Sequence, residues 1–186
     1  ILIVGLGYVG LPLALGLTRH FDNVVGFEIS DYRRKLLLSN KSPVDTVSDH
    51  ELTRSQLIIT GELSDKPKVD IVFVCVPTPL DTNNEPDTSL IDNAIDKVSK
   101  FISDDAIVVN VSTVAPGYTD SVCNKYNIVN YGFAPEREDP GNNSFNLSNT
   151  NRIFAGNNIY SSEKMRKIFE RMGIKSHLAS SIKVAE

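Results

Sequence analysis

The sequence predicts a doubly wound α/β domain: a mainly parallel sheet with helices on both faces. Two observations carry this. Short apolar runs alternate with segments of helical period along the whole chain, as in successive βα units. Those runs are as continuously apolar as strands covered on both faces must be. A third feature, a glycine-rich turn between the first run and the first helical segment, fits the same architecture.

Taken in order, strands are expected at residues 1–4, 24–27, 57–60, 71–76, 106–111, 130–133 and 152–155. Helices are expected at 9–19, 31–39, 89–101, 119–125 and 162–172, several opening on a Ser, Thr or Asp cap. Two connections are rich in turn residues, PTPLDTNNEP at 77–86 and PEREDPGNNSFNLSNTN at 135–151. Long loops at strand ends are where sites are built. No internal repeat or low-complexity tract interrupts the pattern.

The 186 residues suffice for one domain with a buried core and a tail. Hydrophobic residues make up 41% and charged residues 23%, a soluble globular balance that favours neither disorder nor a membrane class. With a net charge of -4 and scattered Lys and Arg, no basic stripe exists to neutralise a phosphate backbone, so no nucleic-acid partner is expected. Cys75 and Cys123 lack CxxC spacing and a nearby His, so neither a disulfide framework nor a metal site is indicated, and a reducing cytoplasm fits. No apolar run reaches the roughly 20 residues needed to span a bilayer. The chain begins inside an apolar strand without Met and stops in a helical pattern, so it is expected to be part of a longer protein.

Within GLGYVG, Gly5, Gly7 and Gly10 form GxGxxG, with Tyr8 and Val9 inside the turn. The first glycine allows the tight turn, the second admits a pyrophosphate, and the third lets helix and strand pack closely. The N–H groups at the helix start then face the phosphates. Glycines also make ordinary turns, and the context that argues for a dinucleotide is Glu28. It closes the run VVGFE 18 residues after Gly10, where an acid accepts hydrogen bonds from the adenosine ribose and repels a 2′-phosphate. This selects NAD over NADP. Arg33 and Arg34 follow a few residues on; either is a cofactor contact or a helix-surface charge, Arg33 beside Asp31.

Three further segments follow strands: CVPTPLD at 75–81, VSTVAPGYT at 111–119 and APERE at 134–138. With GLGYVGLPLA they resemble, in order, the motifs of the nucleotide-sugar 6-dehydrogenases, which oxidise UDP-glucose or UDP-N-acetylhexosamines to uronic acids. The resemblance covers the whole chain, and its PER motif followed by PG looks most like the UDP-N-acetylhexosamine branch. It implies a Rossmann-like NAD domain over residues 1–178 and, at 179–186, the first turns of the helix joining two halves of the enzyme. It also implies a full-length protein that is a homodimer or larger, serving polysaccharide precursor synthesis.

By that resemblance Val76, Pro77 and Thr78 line the nicotinamide end of the cofactor, the prolines fixing the loop by locking φ. Ser112 and Thr113 border the same crevice. The Thr113 hydroxyl helps hold an active-site water and Glu136 works with that water in acid/base chemistry. Arg137 either contacts a substrate or cofactor phosphate through its planar fork of donors or bridges to Asp139 on the surface. A strand-end cap for Thr113, and for Glu136 a pairing with Arg137 or plain exposure, are the structural alternatives. One departure is visible: Val111 stands where the family often has a charge.

The family reaction passes through an aldehyde and a thioester on a cysteine thiolate. Cys75, inside IVFVCVP, and Cys123, in a helical stretch, instead read as small buried hydrophobes. The chain alone is therefore expected to bind NAD without making uronic acid. Other β-hydroxyacid-type dehydrogenases and a stand-alone NAD-binding module are the competing readings.

Overall fold

Strand β1 (Leu2–Val4) is fully buried, and its neighbours on either side decide the topology. It pairs in parallel with β2 (Val25–Phe27) and with β4 (Ile71–Val74), in register Leu2 to Val25 and Leu2 to Val72. Beyond β2 lies β3 (Ile58–Thr60), and beyond β4 lie β5 (Ile107–Asn110) and β6 (Asn130–Phe133), all parallel. β7 (Arg152–Gly156) joins β6 antiparallel, and β8 (Ser176–Leu178) pairs in parallel with β7. The order is β3-β2-β1-β4-β5-β6-β7-β8. The computed structural model describes residues 1–63, 69–136 and 151–186.

The period-2 side-chain pattern of the strands divides the core in two. Ile3, Phe73 and Val109 point to one face, under α1 (Gly10–Thr18), α2 (Asp31–Leu38) and α6 (Ile159–Arg171), which contribute Leu11, Leu37 and Phe169. Leu2, Val72 and Val108 point to the other, under α4 (Ser89–Ser99), α5 (Tyr118–Lys125) and α7 (Ile182–Ala185), which contribute Ile95, Val122 and Ile182. The expected doubly wound α/β sheet is the fold observed.

Two elements were not expected. α3 (Asp49–Thr53) is one turn held by a capping box, with the Ser48 side chain accepting from the Glu51 N–H and the Glu51 side chain accepting from the Ser48 N–H. β8 has the polar sequence SHL and is largely exposed, so no apolar run announces it; it forms because β7 offers a free edge. α6 also starts three residues before its expected position, because Asn158 rather than Ser162 is the cap, its side chain accepting from the Ser161 N–H.

Candidate dinucleotide-binding site

The strand order reverses between β1 and β4, and in an open parallel sheet the crevice lies beyond the carboxyl ends of such a pair. Here that crevice is a cleft of about 320 Å³. Gly7, Tyr8 and Val9 enter it from β1, Val76, Pro77 and Thr78 from β4, Ser112 and Thr113 from β5, Glu136 from β6, and Arg33 from α2. Ten residues expected from sequence thus share one cavity. A larger cleft of about 520 Å³ at the far end of α1, lined by Arg19, His50 and Arg54 among others, lies away from these strand ends.

The three glycines serve different needs. Gly5 sits at φ +91°, and an added Cβ would lie 3.0 Å from the Cys75 carbonyl oxygen. A Cβ on Gly10, the first residue of α1, would meet the Gly5 carbonyl oxygen at 1.8 Å. At Gly7 a Cβ would approach only Arg33 Nη1, at 3.4 Å, so this backbone is open to the cleft. Val9 supplies no side-chain cap to α1 and the first turn holds no acid, which leaves the positive end of the helix available to an anion.

Glu28 is 6% exposed. Its carboxylate bridges the glycine turn and the end of β2, accepting from the Leu6 N–H at 3.1 Å and from the Ser30 N–H at 2.9 Å. Each oxygen has a second lone pair, so ribose hydroxyls and this bracing role are compatible. The two arginines separate. Arg34 donates to the carbonyls of Glu28 and Ile29, at 2.6 and 2.8 Å, and pairs with Asp31. Arg33 lies by Gly7 in the cleft, and the arginine that pairs with Asp31 is Arg34.

Ser112 is held inward: its hydroxyl donates to the Val76 carbonyl at 2.6 Å and its N–H to Asn110 Oδ1 at 3.1 Å. Asn110 Nδ2 in turn donates to Thr119 Oγ1 at 3.1 Å, both residues fully buried. Thr113, one residue on, is exposed at the cleft rim. Between its prolines, Thr78 has a buried hydroxyl oxygen with no hydrogen-bond partner among the described residues. An orphaned hydroxyl costs about 1–3 kcal/mol, and in a cleft wall it fits a polar group of a ligand. The open Gly7 backbone, the uncapped α1 and this hydroxyl all suit a dinucleotide.

Sequence reasoning missed Arg152. Its guanidinium forms an ion pair with Glu136, the two side chains being 3% and 7% exposed, and lies 5.4 Å from the centre of the Phe169 ring. An Arg opening the apolar strand RIFAG was the available signal. Glu136 is therefore not plainly exposed, and β7 supplies a partner for it. The pairing with Arg137 also weighed for it falls on a residue that lies outside the described residues.

Both cysteines are buried free thiols. Burial pushes the Cys75 thiol up, with Arg152 opposing and Glu136 adding to the shift. Burial does the same to Cys123, with Asp120 and Glu186 adding. Neither is expected to react with iodoacetamide at pH 8 in the native protein, and both are expected to react after unfolding; intact-mass measurement reads the difference. Among the described residues, no group of three or more His, Cys, Asp or Glu is placed to hold a metal ion, and no helix is long and apolar enough to cross a membrane.

A mainly parallel sheet with an open glycine turn at its switch point and a buried acid closing the neighbouring strand is the architecture of a dinucleotide-binding α/β domain. The assignment is narrower still: residues 1–173 match the UDP-glucose/GDP-mannose dehydrogenase family, NAD binding domain, and the chain belongs to that family. Protein CapL of Staphylococcus aureus is 35% identical over 202 residues, covering 100% of this chain and 46% of its own length. UDP-N-acetyl-D-glucosamine 6-dehydrogenase of Pseudomonas aeruginosa is 34% identical over 196 residues, covering 99% and 46%. The UDP-D-ManNAc dehydrogenase structure from Pyrococcus horikoshii superposes with a TM-score of 0.89 at 25% identity, over 100% of this chain and 48% of that one. The chain spans about half the length of the curated relatives it matches.

Proposed function

We propose that this chain is the NAD-holding half of a UDP-N-acetylhexosamine 6-dehydrogenase, which oxidises the sugar C6 alcohol to a carboxylate. The observation that carries it is the meeting of Val76, Pro77 and Thr78 of VPTP, Ser112 and Thr113 of STV, and Glu136 of PER in the cleft beside the glycine turn. That relatives at 34–35% identity include a UDP-N-acetyl-D-glucosamine 6-dehydrogenase supports the branch.

In this reading NAD, when bound, accepts the hydride that leaves C6. The Gly7 backbone and the start of α1 hold its pyrophosphate, with Tyr8, Val9 and Arg33 alongside. Glu28 accepts from the adenosine ribose hydroxyls and repels a 2′-phosphate. Val76, Pro77 and Thr78 would line the nicotinamide end, where the Thr78 hydroxyl would be available as a polar contact. Thr113 holds a water at the rim and Glu136 takes its proton, oriented by Arg152; Arg137 meets a substrate phosphate. The nucleophilic cysteine and most of the UDP-sugar site belong to the remainder of a protein of the relatives' length. That protein is cytoplasmic and at least dimeric, joined through the helix whose first turn is α7 (Ile182–Ala185), three residues later than its expected start at 179.

Titration calorimetry of this chain with NADH and NADPH tests the cofactor side. NADH is expected to bind at least about tenfold more tightly, and Glu28→Ala to narrow that ratio while weakening NADH. Tighter NADPH binding would overturn the role of Glu28. The substrate side is read in the full-length protein from NADH production with UDP-N-acetylglucosamine against UDP-glucose; preference for UDP-glucose would overturn the branch.

A further inference from the structure

Helix α5 follows Gly117, which stands at φ +93° and has no side chain to cap it. The cap comes from the far end of the chain. Glu186 accepts from the Thr119 N–H at 2.8 Å through one carboxylate oxygen and from the Gly117 N–H through the other. An anion shared by two N–H groups at a helix start is charge-assisted and lies favourably in the helix dipole. Glu186 is delivered there by α7. The Ser181 hydroxyl caps that helix by accepting from the Val184 N–H at 3.2 Å, and Ile182 and Ala185, 3% and 6% exposed, seat it against the core.

The residue that Glu186 holds is also the end of the buried polar series behind the cleft. Thr119 gives its N–H to Glu186 and its hydroxyl oxygen accepts from Asn110; Asn110 accepts from the Ser112 N–H; Ser112 donates to the Val76 carbonyl. The series runs without a break from the α7 segment to the cleft wall that carries Val76 and Thr113. Buried polar members of such a series are each costly to leave unpaired, so they shift together.

We propose that Glu186 is a positioning residue that couples docking of the α7 segment to the shape of the cofactor cleft. The coupling rests on the reading of that cleft as the NAD site. Linkage makes it reciprocal: docking of the segment tightens NADH, and NADH tightens docking by the same factor.

The test uses this chain, with NADH affinity from calorimetry and amide exchange at Gly117 and Thr119 as readouts. Glu186→Ala is expected to weaken NADH about five- to tenfold and Glu186→Gln less, since the amide keeps one acceptor. In the wild type, NADH is expected to slow exchange at both amides, and in Glu186→Ala this protection is lost. Ile95→Val trims the same core from α4 and serves as the control for stability alone: a lower Tm with NADH affinity unchanged. If Glu186→Ala lowers Tm as Ile95→Val does and leaves NADH affinity within twofold, the coupling is overturned. Glu28→Ala, run in parallel, separates the two readings. Weakened NADH there with none in Glu186→Ala removes the coupling and spares the cleft, whereas no change in either removes the cleft.

Discussion

Arg152→Met is expected to destabilise the domain by about 3–5 kcal/mol, the cost of removing one partner from a buried ion pair. Arg152 and Glu136 are 3% and 7% exposed at the side chain, so water supplies little screening or replacement solvation. The methionine stem fills much of the space over Phe169 but returns no charge to Glu136. For a domain of this size the loss corresponds to a fall in Tm of roughly 6–20 °C, and urea unfolding should show it as a lower midpoint at unchanged slope. Adding Glu136→Gln to Arg152→Met is expected to restore part of the stability, because the buried carboxylate charge is then gone as well. Losses that simply add would mean that the two side chains do not act as a pair.

Gly10→Ala is the second large effect. Its Cβ would sit 1.8 Å from the Gly5 carbonyl oxygen, a backbone atom that no rotamer change can move aside. The start of α1 must separate from the turn, at a cost at or above the upper end of ordinary overpacking, about 3 kcal/mol. That displacement also moves the Gly7 backbone and the helix-start N–H groups proposed to hold the pyrophosphate. NADH affinity is therefore expected to fall by at least an order of magnitude even at temperatures where the variant is folded. Circular dichroism melts and NADH titration check the two parts separately. A variant with wild-type affinity and Tm would contradict the close packing of the turn.

Much of this was legible in the sequence because it depends on local chemistry. The apolar runs place the seven expected strands within a few residues of seven of the eight observed, and GxGxxG states its own backbone demands. The segments after β4, β5 and β6 could be read as neighbours, since a parallel sheet brings its strand ends to one edge. α3 was also readable, through the Ser48 and Glu51 spacing, but one turn between loops carries no hydrophobic period. β8 was not, because its sequence is polar and its partner edge is supplied by β7.

The amino-acid sequence by itself determined the fold class and the dinucleotide turn, which follow from apolar periodicity and glycine sterics, while the residues of the other strand ends around the cleft were named by their resemblance to the family's motifs. Only the tertiary structure decided the partners of the polar side chains around the cleft and behind it. It gave Arg34 rather than Arg33 to Asp31, braced the glycine turn with Glu28, paired Glu136 with Arg152, and capped α5 with Glu186. The reason is physical: the last three pairings join residues 16 to 69 apart and are chosen by where packing leaves a buried donor or acceptor unsatisfied, of which sequence spacing carries no record; of two adjacent arginines near Asp31, packing likewise decides which one faces it.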